Sequence, residues 1–192
     1  MNQNLTKISI LYFSILTCVC NAQDVTVGEK VWMLKNLDVT SYKNGDIIPQ
    51  VSDPTEWANL KTGAWCYYEN DTVNGHAYGR LYNGYAINDP RGICPIGYHI
   101  PSDQEVYEIT GRLPGYSGKN IDNHIKLKAL RGGYRAPNGD FNDVGGKGMW
   151  WHINDNKYMA AWTLESNDEN NIISIATSKL LNFGCSVRCV KD

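Results

Sequence analysis

The sequence predicts one domain that combines short helices, short antiparallel strands and many loops, and three observations predict it. The chain has 192 residues, of which 42% are hydrophobic and 20% charged, a balance typical of one folded domain and atypical of a disordered chain. Its 18 glycines indicate frequent turns. Apolar residues recur at strand spacing near the N-terminus and at helix spacing in the middle.

The charge balance argues against a nucleic-acid partner. The chain has 18 Lys and Arg against 20 Asp and Glu, which gives a formal charge of −2. No stretch concentrates basic residues, as binding to a phosphate backbone requires.

Residues 1–22 have the order of a secretory signal peptide. Lys7 precedes an apolar run at residues 8–19, and the small residues Cys20 and Ala22 follow it. We expect cleavage after Ala22, which leaves residues 23–192 as a single domain. The apolar run is too short to span a bilayer as a mature helix, and no other segment is apolar enough to do so. The protein is therefore predicted to be secreted or to reside in the cell envelope.

Lipoprotein processing is the alternative for the same segment. In that case Cys18 or Cys20 becomes the acylated N-terminus and anchors the domain on a membrane, such as an outer membrane. Thr17 and Val19 precede these cysteines, where a small residue is preferred.

Two β-hairpins are predicted at the start of the domain. Residues 24–34 alternate apolar and polar side chains around Gly28. Residues 40–51 repeat the design, with Asn44-Gly45 as the turn.

Helices and an aromatic strand are predicted next. Asp53 is a capping residue before Pro54, so a short helix is predicted to run to about Leu60. An aromatic strand at residues 64–68 and a polar surface turn at residues 69–75 follow. The 3–4 residue spacing of Tyr78, Leu81, Tyr82, Tyr85 and Ala86 predicts a helix over residues 78–88.

A capping box opens the next helix. The Ser102 hydroxyl and the Glu105 carboxylate can each accept a hydrogen bond from a free backbone N–H. Val106, Ile109 and Leu113 form its apolar face.

Glycine and asparagine dominate from Gly132 onward, so loops and short antiparallel strands are predicted there. Residues 171–178 and 185–191 are predicted as two closing strands, joined by a turn near Asn182 and Gly184.

Motifs that carry chemistry are few. The G-x-S-x-G motif is missing, and Gly145-Gly146-Lys147-Gly148 lacks the P-loop spacing, so we expect a turn there. A hydrogen-bonded structural role is expected for His99. The stretch 165–171 could supply oxygens to calcium, but it lacks the EF-hand order, and a solvated hairpin loop is the competing interpretation. The sequence therefore predicts no catalytic residues, no metal site and no cofactor.

Four cysteines follow the predicted signal peptide: Cys66, Cys94, Cys185 and Cys189. An exported compartment permits disulfides, and four cysteines allow three pairings. The C-x-x-x-C spacing of Cys185 and Cys189 suits a metal or redox pair only weakly, because no histidine spacing complements it.

Adjacent aromatic residues suggest a binding surface. If Trp150 and Trp151 lie in one strand, one ring points inward and the other outward. Tyr67 and Tyr68 pose the same alternative. An outward Trp or Tyr ring could bind a sugar or a protein side chain.

The sequence resembles the Fibrobacter succinogenes major paralogous domain family (FISUMP). The resemblance runs from about Val27 to Asp192 and is carried by VWMLKNLDVTSYKNGDIIP, TEWANLKTGAWCYYEND, YGRLYNGYAINDPRGICPIGYHIPSDQE, GGYRAPNGDF with GMWWHIN, and GCSVRCVKD.

This resemblance implies an α+β fold of the C-type lectin-like type, shared with formylglycine-generating enzymes. The 78–88 helix and the Ser102-capped helix would be its two main helices, and the last strand would pair with the first. Cys94 and Cys189 match the disulfide of lectin-like domains. Cys66 with Cys185 is the expected second pair, although the family more often has an aromatic residue where Cys185 stands.

The function expected from these observations is binding or adhesion in the cell envelope, with a glycan or a surface protein as partner. The calcium-dependent sugar motifs E-P-N, Q-P-D and W-N-D are missing, so binding without calcium is expected. A structural or assembly domain that binds only protein is the alternative. A copper-thiol oxidase resembling formylglycine-generating enzymes is a further one, with Cys185 and Cys189 as its pair.

Lectin-like folds often carry ligand contacts in glycine-rich loops of their second half. The candidate ligand-binding residues are Trp150, Trp151, Tyr134, Arg135 and Asn142. The competing interpretation is that Gly133, Tyr134 and Trp150 only support the fold.

Overall fold

A computed structural model describes residues 24–110, 127–154, 159–166, 171–177 and 181–192. The predicted signal peptide lies outside these residues, as do Leu113 and the centre of the acidic stretch 165–171. The helices are α1 (Pro54–Asn59), α2 (Thr72–Tyr78), α3 (Gly84–Ile87) and α4 (Asp103–Thr110), with a 3-10 turn at Tyr68–Asn70. The strands are β1 (Asp24–Val27), β2 (Lys30–Met33), β3 (Trp65–Cys66), β4 (Leu81–Asn83), β5 (Tyr98–His99), β6 (Gly132–Arg135), β7 (Phe141–Val144), β8 (Lys147–Ile153), β9 (Met159–Ser166), β10 (Asn171–Thr177), β11 (Gly184–Cys185) and β12 (Val190–Lys191).

The chain mixes α and β structure, with sheet predominant. Its described strands form two sheets. A four-stranded sheet has the order β1-β2-β12-β5. An eight-stranded sheet has the order β10-β9-β8-β6-β11-β4-β3, with β7 also paired to β6. The last strand therefore pairs with β2, through Val190 and Trp32, and with β5, rather than with β1.

The N-terminal hairpin is confirmed. Val27 pairs with Lys30, and Gly28 in the turn has φ +63°, a conformation that glycine adopts without steric cost. The second predicted hairpin is reduced to its turn at Asn44-Gly45 and one bridge between Ser41 and Ile47.

The first helix begins and ends close to the predicted residues. Asp53 caps α1, because its carboxylate accepts a hydrogen bond from the Glu56 amide at 2.7 Å, and Pro54 occupies the first turn. The aromatic strand is shorter than predicted, since β3 ends at Cys66 and Tyr68 begins the 3-10 turn.

The helix predicted over residues 78–88 is wrong. The chain instead ends α2 at Tyr78, forms strand β4 and starts the short helix α3. Gly79 ends α2 at φ +77° and ψ −163°, a backbone conformation restricted to glycine. The Asn83 side chain then caps α3 by accepting a hydrogen bond from the Ala86 amide at 2.9 Å. All three residues of β4 are buried, so its apolar residues face the core on both sides of a strand.

The capping box is confirmed. The Ser102 hydroxyl accepts from the Glu105 amide at 3.3 Å, and the Glu105 carboxylate accepts from the Ser102 amide at 2.9 Å. Val106 and Ile109 of α4 are fully buried, as the helix spacing predicts. Although burial raises the pKa of Glu105, hydrogen bonds from Ser102, His99 and Lys30 outweigh that effect and lower it to about 2.

The C-terminal half contains longer strands than predicted. β8, β9 and β10 form an antiparallel part of the eight-stranded sheet. The predicted strand at 171–178 matches β10. The strand predicted at 185–191 divides into β11 and β12, which lie in different sheets, and the hairpin with β10 does not form because β10 pairs with β9.

One disulfide joins Cys94, after α3, to Cys189, just before β12, as the family resemblance implies. The expected second pair is wrong, since Cys66 and Cys185 are buried free thiols. Cys66 pairs with Leu81 and Cys185 with Tyr82 across β4, which lies between their strands. Because neighbouring residues of a strand point to opposite faces, the two thiols lie on opposite faces of the sheet.

Tryptophan dominates the core. All six tryptophans are at most 5% exposed: Trp32, Trp57, Trp65, Trp150, Trp151 and Trp162. Strand β8 is buried on both faces and separates two apolar clusters. Trp150 stacks on Trp162 in one cluster, at a ring distance of 4.2 Å, and Trp151 packs in the other.

Candidate ligand-binding cleft

The principal candidate site is a cleft of about 520 Å³ beside α2. One wall is the segment Leu34–Asp38, which follows β2, and another is the second half of α2. Lys128, Leu130 and Arg188 line the remainder. Its volume lies within the range of about 300–1,000 Å³ typical of small-ligand sites.

Core contacts hold the first wall in place. Leu37 is buried, and its amide donates a hydrogen bond to the Val187 carbonyl at 2.8 Å, while its carbonyl accepts one from the Arg80 amide at 3.4 Å. Gly79 crosses the same segment closely, since a Cβ there would lie 3.1 Å from the Leu37 carbonyl oxygen. The glycine that ends α2 therefore also lets the two walls meet.

Asn36 organises the interior of the cleft. Its Oδ1 accepts hydrogen bonds from the Trp150 indole at 2.9 Å and from Arg188 Nε and Nη2 at 3.2 and 2.7 Å. Its Nδ2 donates to the Tyr78 carbonyl at 2.8 Å. This single amide thus ties strand β8, the C-terminal segment and the end of α2 together.

Arg188 is the most deeply buried cation of the cleft lining. It is only 2% exposed, and its guanidinium also donates a hydrogen bond to the Leu127 carbonyl. Among the described residues no carboxylate forms an ion pair with it. Burial lowers the pKa of Arg188 to about 10, so the group remains charged at neutral pH.

The other charged groups at the cleft are two lysines and one ion pair. Lys35 and Lys128 are exposed. Asp38 is the acidic residue of the lining, and it forms an ion pair with Arg80. Arg80 is itself buried, and its guanidinium lies 4.2 Å from the centre of the Trp65 ring. The cleft is therefore predominantly cationic.

The structure places most of the predicted ligand-binding residues in the interior. Trp150 and Trp151 are 0% and 1% exposed, so the expectation that one ring of the pair faces solvent is wrong. The reason is that β8 is covered on both faces. Trp150 nevertheless contacts the cleft lining, because its indole donates a hydrogen bond to Asn36.

Arg135 has a structural environment. It is fully buried, and its guanidinium donates to the Gly139, Val51 and Ser52 carbonyls at 2.7–2.9 Å. It also lies over the Trp57 ring at 4.5 Å.

Tyr134 and Asn142 are partly exposed and face each other across β6 and β7. A ligand role for these two residues stays a prediction. Neither lines the cleft described above.

The cleft residues were not identified from the sequence. Arg188 lies in the otherwise apolar stretch Val187–Val190, and such a position favours a hydrogen-bonded interior side chain. Asn36 follows the exposed Lys35, and its neighbours in sequence carry no such signal. Neither position shows that the two side chains meet, because 152 residues separate them.

The thiol pair considered for copper chemistry does not exist as a dithiol. Cys189 is bonded to Cys94, and burial raises the pKa of the Cys185 thiol far above its ordinary value. His99 has the expected hydrogen bonds, since its ring nitrogens lie 2.7 Å from Asp192 and 3.0 Å from Glu105. Within the described ranges no group of three His, Cys, Asp or Glu side chains is arranged to hold a metal ion.

A smaller cleft of about 280 Å³ lies between Lys61 and Arg91, with Tyr85 in its lining. Arg91 is held there by Asp89 and Asp46 at 2.8 Å. These ion pairs offset the positive charge of Arg91, so this cleft lacks the excess of positive charge found in the larger one.

None of the helices in the described part of the chain is long and apolar enough to cross a membrane. Comparison with curated proteins and with solved structures finds no significant match. A family model described as the Fibrobacter succinogenes major domain matches residues 25–191. Because that match extends from the first strand to the last, the chain belongs to the Fibrobacter succinogenes major domain family.

Proposed function

We propose that this chain is a binding module of a bacterial cell envelope and that it recognises a glycan in the cleft beside α2. The observation that carries the proposal is a cleft of small-ligand size whose polar interior is held by partly buried hydrogen bonds. Preorganised polar groups bind a ligand at a lower entropic cost than mobile ones. The missing calcium motifs support recognition without calcium.

Export is part of the proposal. Residues 1–22 act as a signal peptide, or, in the alternative form, a lipid on Cys18 or Cys20 anchors the domain. The disulfide between Cys94 and Cys189 supports export, because such bonds persist in oxidising compartments. Mass spectrometry of the N-terminal peptide of exported protein distinguishes the two forms.

A C-type lectin-like architecture is the fold we propose for this module. The joining of the last strand to the N-terminal hairpin and the disulfide beside it support that assignment. The fold alone does not supply the ligand, because lectin-like folds serve several functions.

The test is a glycan and cell-wall polysaccharide array with the exported, purified protein. We expect selective binding that is the same with calcium and with a chelator. Ala77→Trp should abolish it, because Ala77 is exposed on α2 and lines the cleft, so an indole there fills the space. Val73→Trp is the matched control, since Val73 lies on the same helix, is 70% exposed and does not line the cleft.

Binding that Ala77→Trp leaves unchanged would place the ligand elsewhere. A protein that binds no glycan on the array would refute the proposal.

A structural or assembly domain that binds only protein is the second candidate. The exposed side chains of Ile96 and Ile47, at 89% and 71%, favour it, because large apolar side chains in water are typical of interaction surfaces. Charged substitutions at these two positions should weaken capture of an envelope protein in that case and leave glycan binding unchanged.

A further inference from the structure

The geometry of the cleft points to a glycan that carries carboxylate groups, such as a uronic-acid polymer, with Arg188 as the residue that binds the carboxylate. This inference rests on the proposed function and names its ligand class. It starts from a buried cation whose charge the described part of the chain does not balance. A buried charge without a counter-charge is costly. Among the described residues Arg135 is also buried without a carboxylate partner, but it lines neither cleft, whereas Arg188 lines the larger one, where a ligand of opposite charge can supply the counter-charge.

The hydrogen bonds of Arg188 leave donors available. A guanidinium has five N–H groups. Nε and one N–H of Nη2 bind Asn36 Oδ1, and one N–H of Nη1 binds the Leu127 carbonyl. One N–H therefore remains on each terminal nitrogen. These two donors can serve the oxygens of a carboxylate.

The remaining charges favour an anion in the same place. Within the described residues neither Lys35 nor Lys128 forms an ion pair, so both ammonium groups can attract an acidic ligand. Asp38 forms an ion pair with Arg80. It therefore repels an anionic ligand less than an unpaired carboxylate would. The Tyr78 carbonyl at the end of α2 accepts from Asn36 Nδ2 and is likewise satisfied.

An aromatic residue in the lining favours a sugar over an acidic peptide. The half-buried Tyr78 lines the same cleft as Arg188. A tyrosine in such a lining can contact the apolar face of a pyranose while a cation of the same cleft binds the carboxylate of that sugar. An acidic peptide is an outcome that the test separates.

The test uses titration calorimetry of the exported, purified protein with tetragalacturonate, with its methyl ester and with a tetraglutamate peptide. We expect the acid to bind at least about tenfold more tightly than the ester, because the ester removes a charged hydrogen-bond pair. Lys35→Gln combined with Lys128→Gln should weaken binding of the acid by about two- to tenfold and reduce its salt dependence. Lys61→Gln is the matched control, an exposed lysine of the smaller cleft, and should leave the affinity unchanged.

Arg188 is tested directly by ¹⁵N NMR of its guanidinium, which requires no substitution of a buried residue. The acid should shift the Nε and Nη signals, and the ester should not. Arg188→Lys, with its fold checked by circular dichroism, should reduce the preference for the acid, because an ammonium keeps the charge but lacks the planar donors of the guanidinium.

Each contrary outcome has a distinct meaning. Equal affinity for acid and ester, or an unshifted guanidinium with bound acid, overturns the carboxylate inference and leaves glycan binding in place. Tighter binding of the peptide than of any sugar overturns the glycan assignment. If the array detects no glycan at all, the proposed function itself fails.

Discussion

Single polar groups with buried partners determine how the interior of this protein is organised. Asn36 serves three donors with one oxygen, and the indoles of Trp57, Trp65 and Trp151 donate to backbone carbonyls at 2.7–2.9 Å. Four of the six tryptophans, Trp57, Trp65, Trp150 and Trp151, are thus buried with their one polar atom hydrogen-bonded to an acceptor. The aromatic content that suggested a binding surface is therefore used mainly in the core.

Asn36→Ala should destabilise the protein by about 2–4 kcal/mol. The substitution removes the acceptor of the buried Trp150 indole and of Arg188, and unsatisfied buried donors carry their full desolvation cost. Denaturant unfolding measures the change. Asn59→Ala, on the exposed part of α1, is the control and should change the free energy of unfolding by less than about 0.5 kcal/mol. A similarly small effect for Asn36→Ala would contradict the role assigned to this amide.

The buried ring of His152 should make stability fall in mild acid. Burial lowers its pKa to about 4, although Asp103 Oδ1 lies 2.9 Å from Nε2, without the alignment of a hydrogen bond. Because the folded pKa is below the unfolded value of about 6.5, the unfolded state binds the proton first. This contribution is full above pH 6.5 and is lost toward pH 4, by about 2–3 kcal/mol.

His152→Gln should flatten the pH dependence of the free energy of unfolding between pH 6.5 and 4. His76→Gln is the control, an exposed histidine whose removal leaves the buried ring in place. A wild-type slope in His152→Gln would show that another group is responsible.

At the scale of elements, local signals succeeded where one residue controls a helix end. Asp53 and Ser102 begin α1 and α4 as predicted, because a cap needs only a side-chain oxygen and an amide a few residues away. Periodicity failed over residues 78–88. The same apolar residues fit one face of a helix and two buried faces of a strand, and the three buried residues of β4 show the second case.

Gly79→Ala should cost about 1–3 kcal/mol and weaken ligand binding in the cleft. Alanine is strained at φ +77° and ψ −163°, and its Cβ would lie 3.1 Å from Asn36 Cβ and from the Leu37 carbonyl. Gly45→Ala is a matched control, since Gly45 also has positive φ, at +91°, with no atom within 4 Å of its Cβ. Thermal or denaturant unfolding should show the larger loss for Gly79→Ala, and equal losses would refute the steric argument.

At the scale of the whole molecule, one long covalent link and two sheets bring distant segments together. Cys94 and Cys189 are 95 residues apart, and their bond fastens the C-terminal segment beside the N-terminal hairpin. The cleft depends on this assembly, because Arg188 immediately precedes Cys189 and meets Asn36 from the start of the domain.

Replacing both disulfide cysteines, Cys94→Ala with Cys189→Ala, should lower the free energy of unfolding by about 2–5 kcal/mol. Denaturant unfolding of the variant and of the wild type provides the comparison. Wild type treated with reductant should approach the stability of the variant. A loss below about 1 kcal/mol would show that the sheets hold the C-terminal segment without the bond.

Cys66 and Cys185 should resist alkylation until the protein unfolds. Burial raises the pKa of the Cys66 thiol to about 12 and that of Cys185 further, so little thiolate forms and no reagent reaches it. Iodoacetamide treatment with and without denaturant, followed by peptide mass mapping, measures this. A peptide pair linked through Cys66 and Cys185 would contradict the free thiols.

The sequence by itself determined the features that depend on near neighbours. These include the Gly28 hairpin, the caps at Asp53 and Ser102, and the match to the family along residues 25–191. The Cys94–Cys189 bond was also expected, through the resemblance to that family.

Only the tertiary structure decided which face of each strand is covered and which distant residues meet. Strand β8 contains the continuous apolar run Met149–Trp151, which places one tryptophan on each face, and the packing of a cluster on each side buried both of them. The cleft around Asn36 and Arg188 also depends on tertiary packing. Side chains far apart in sequence meet only after the sheets pack, so local spacing carries no record of their contact.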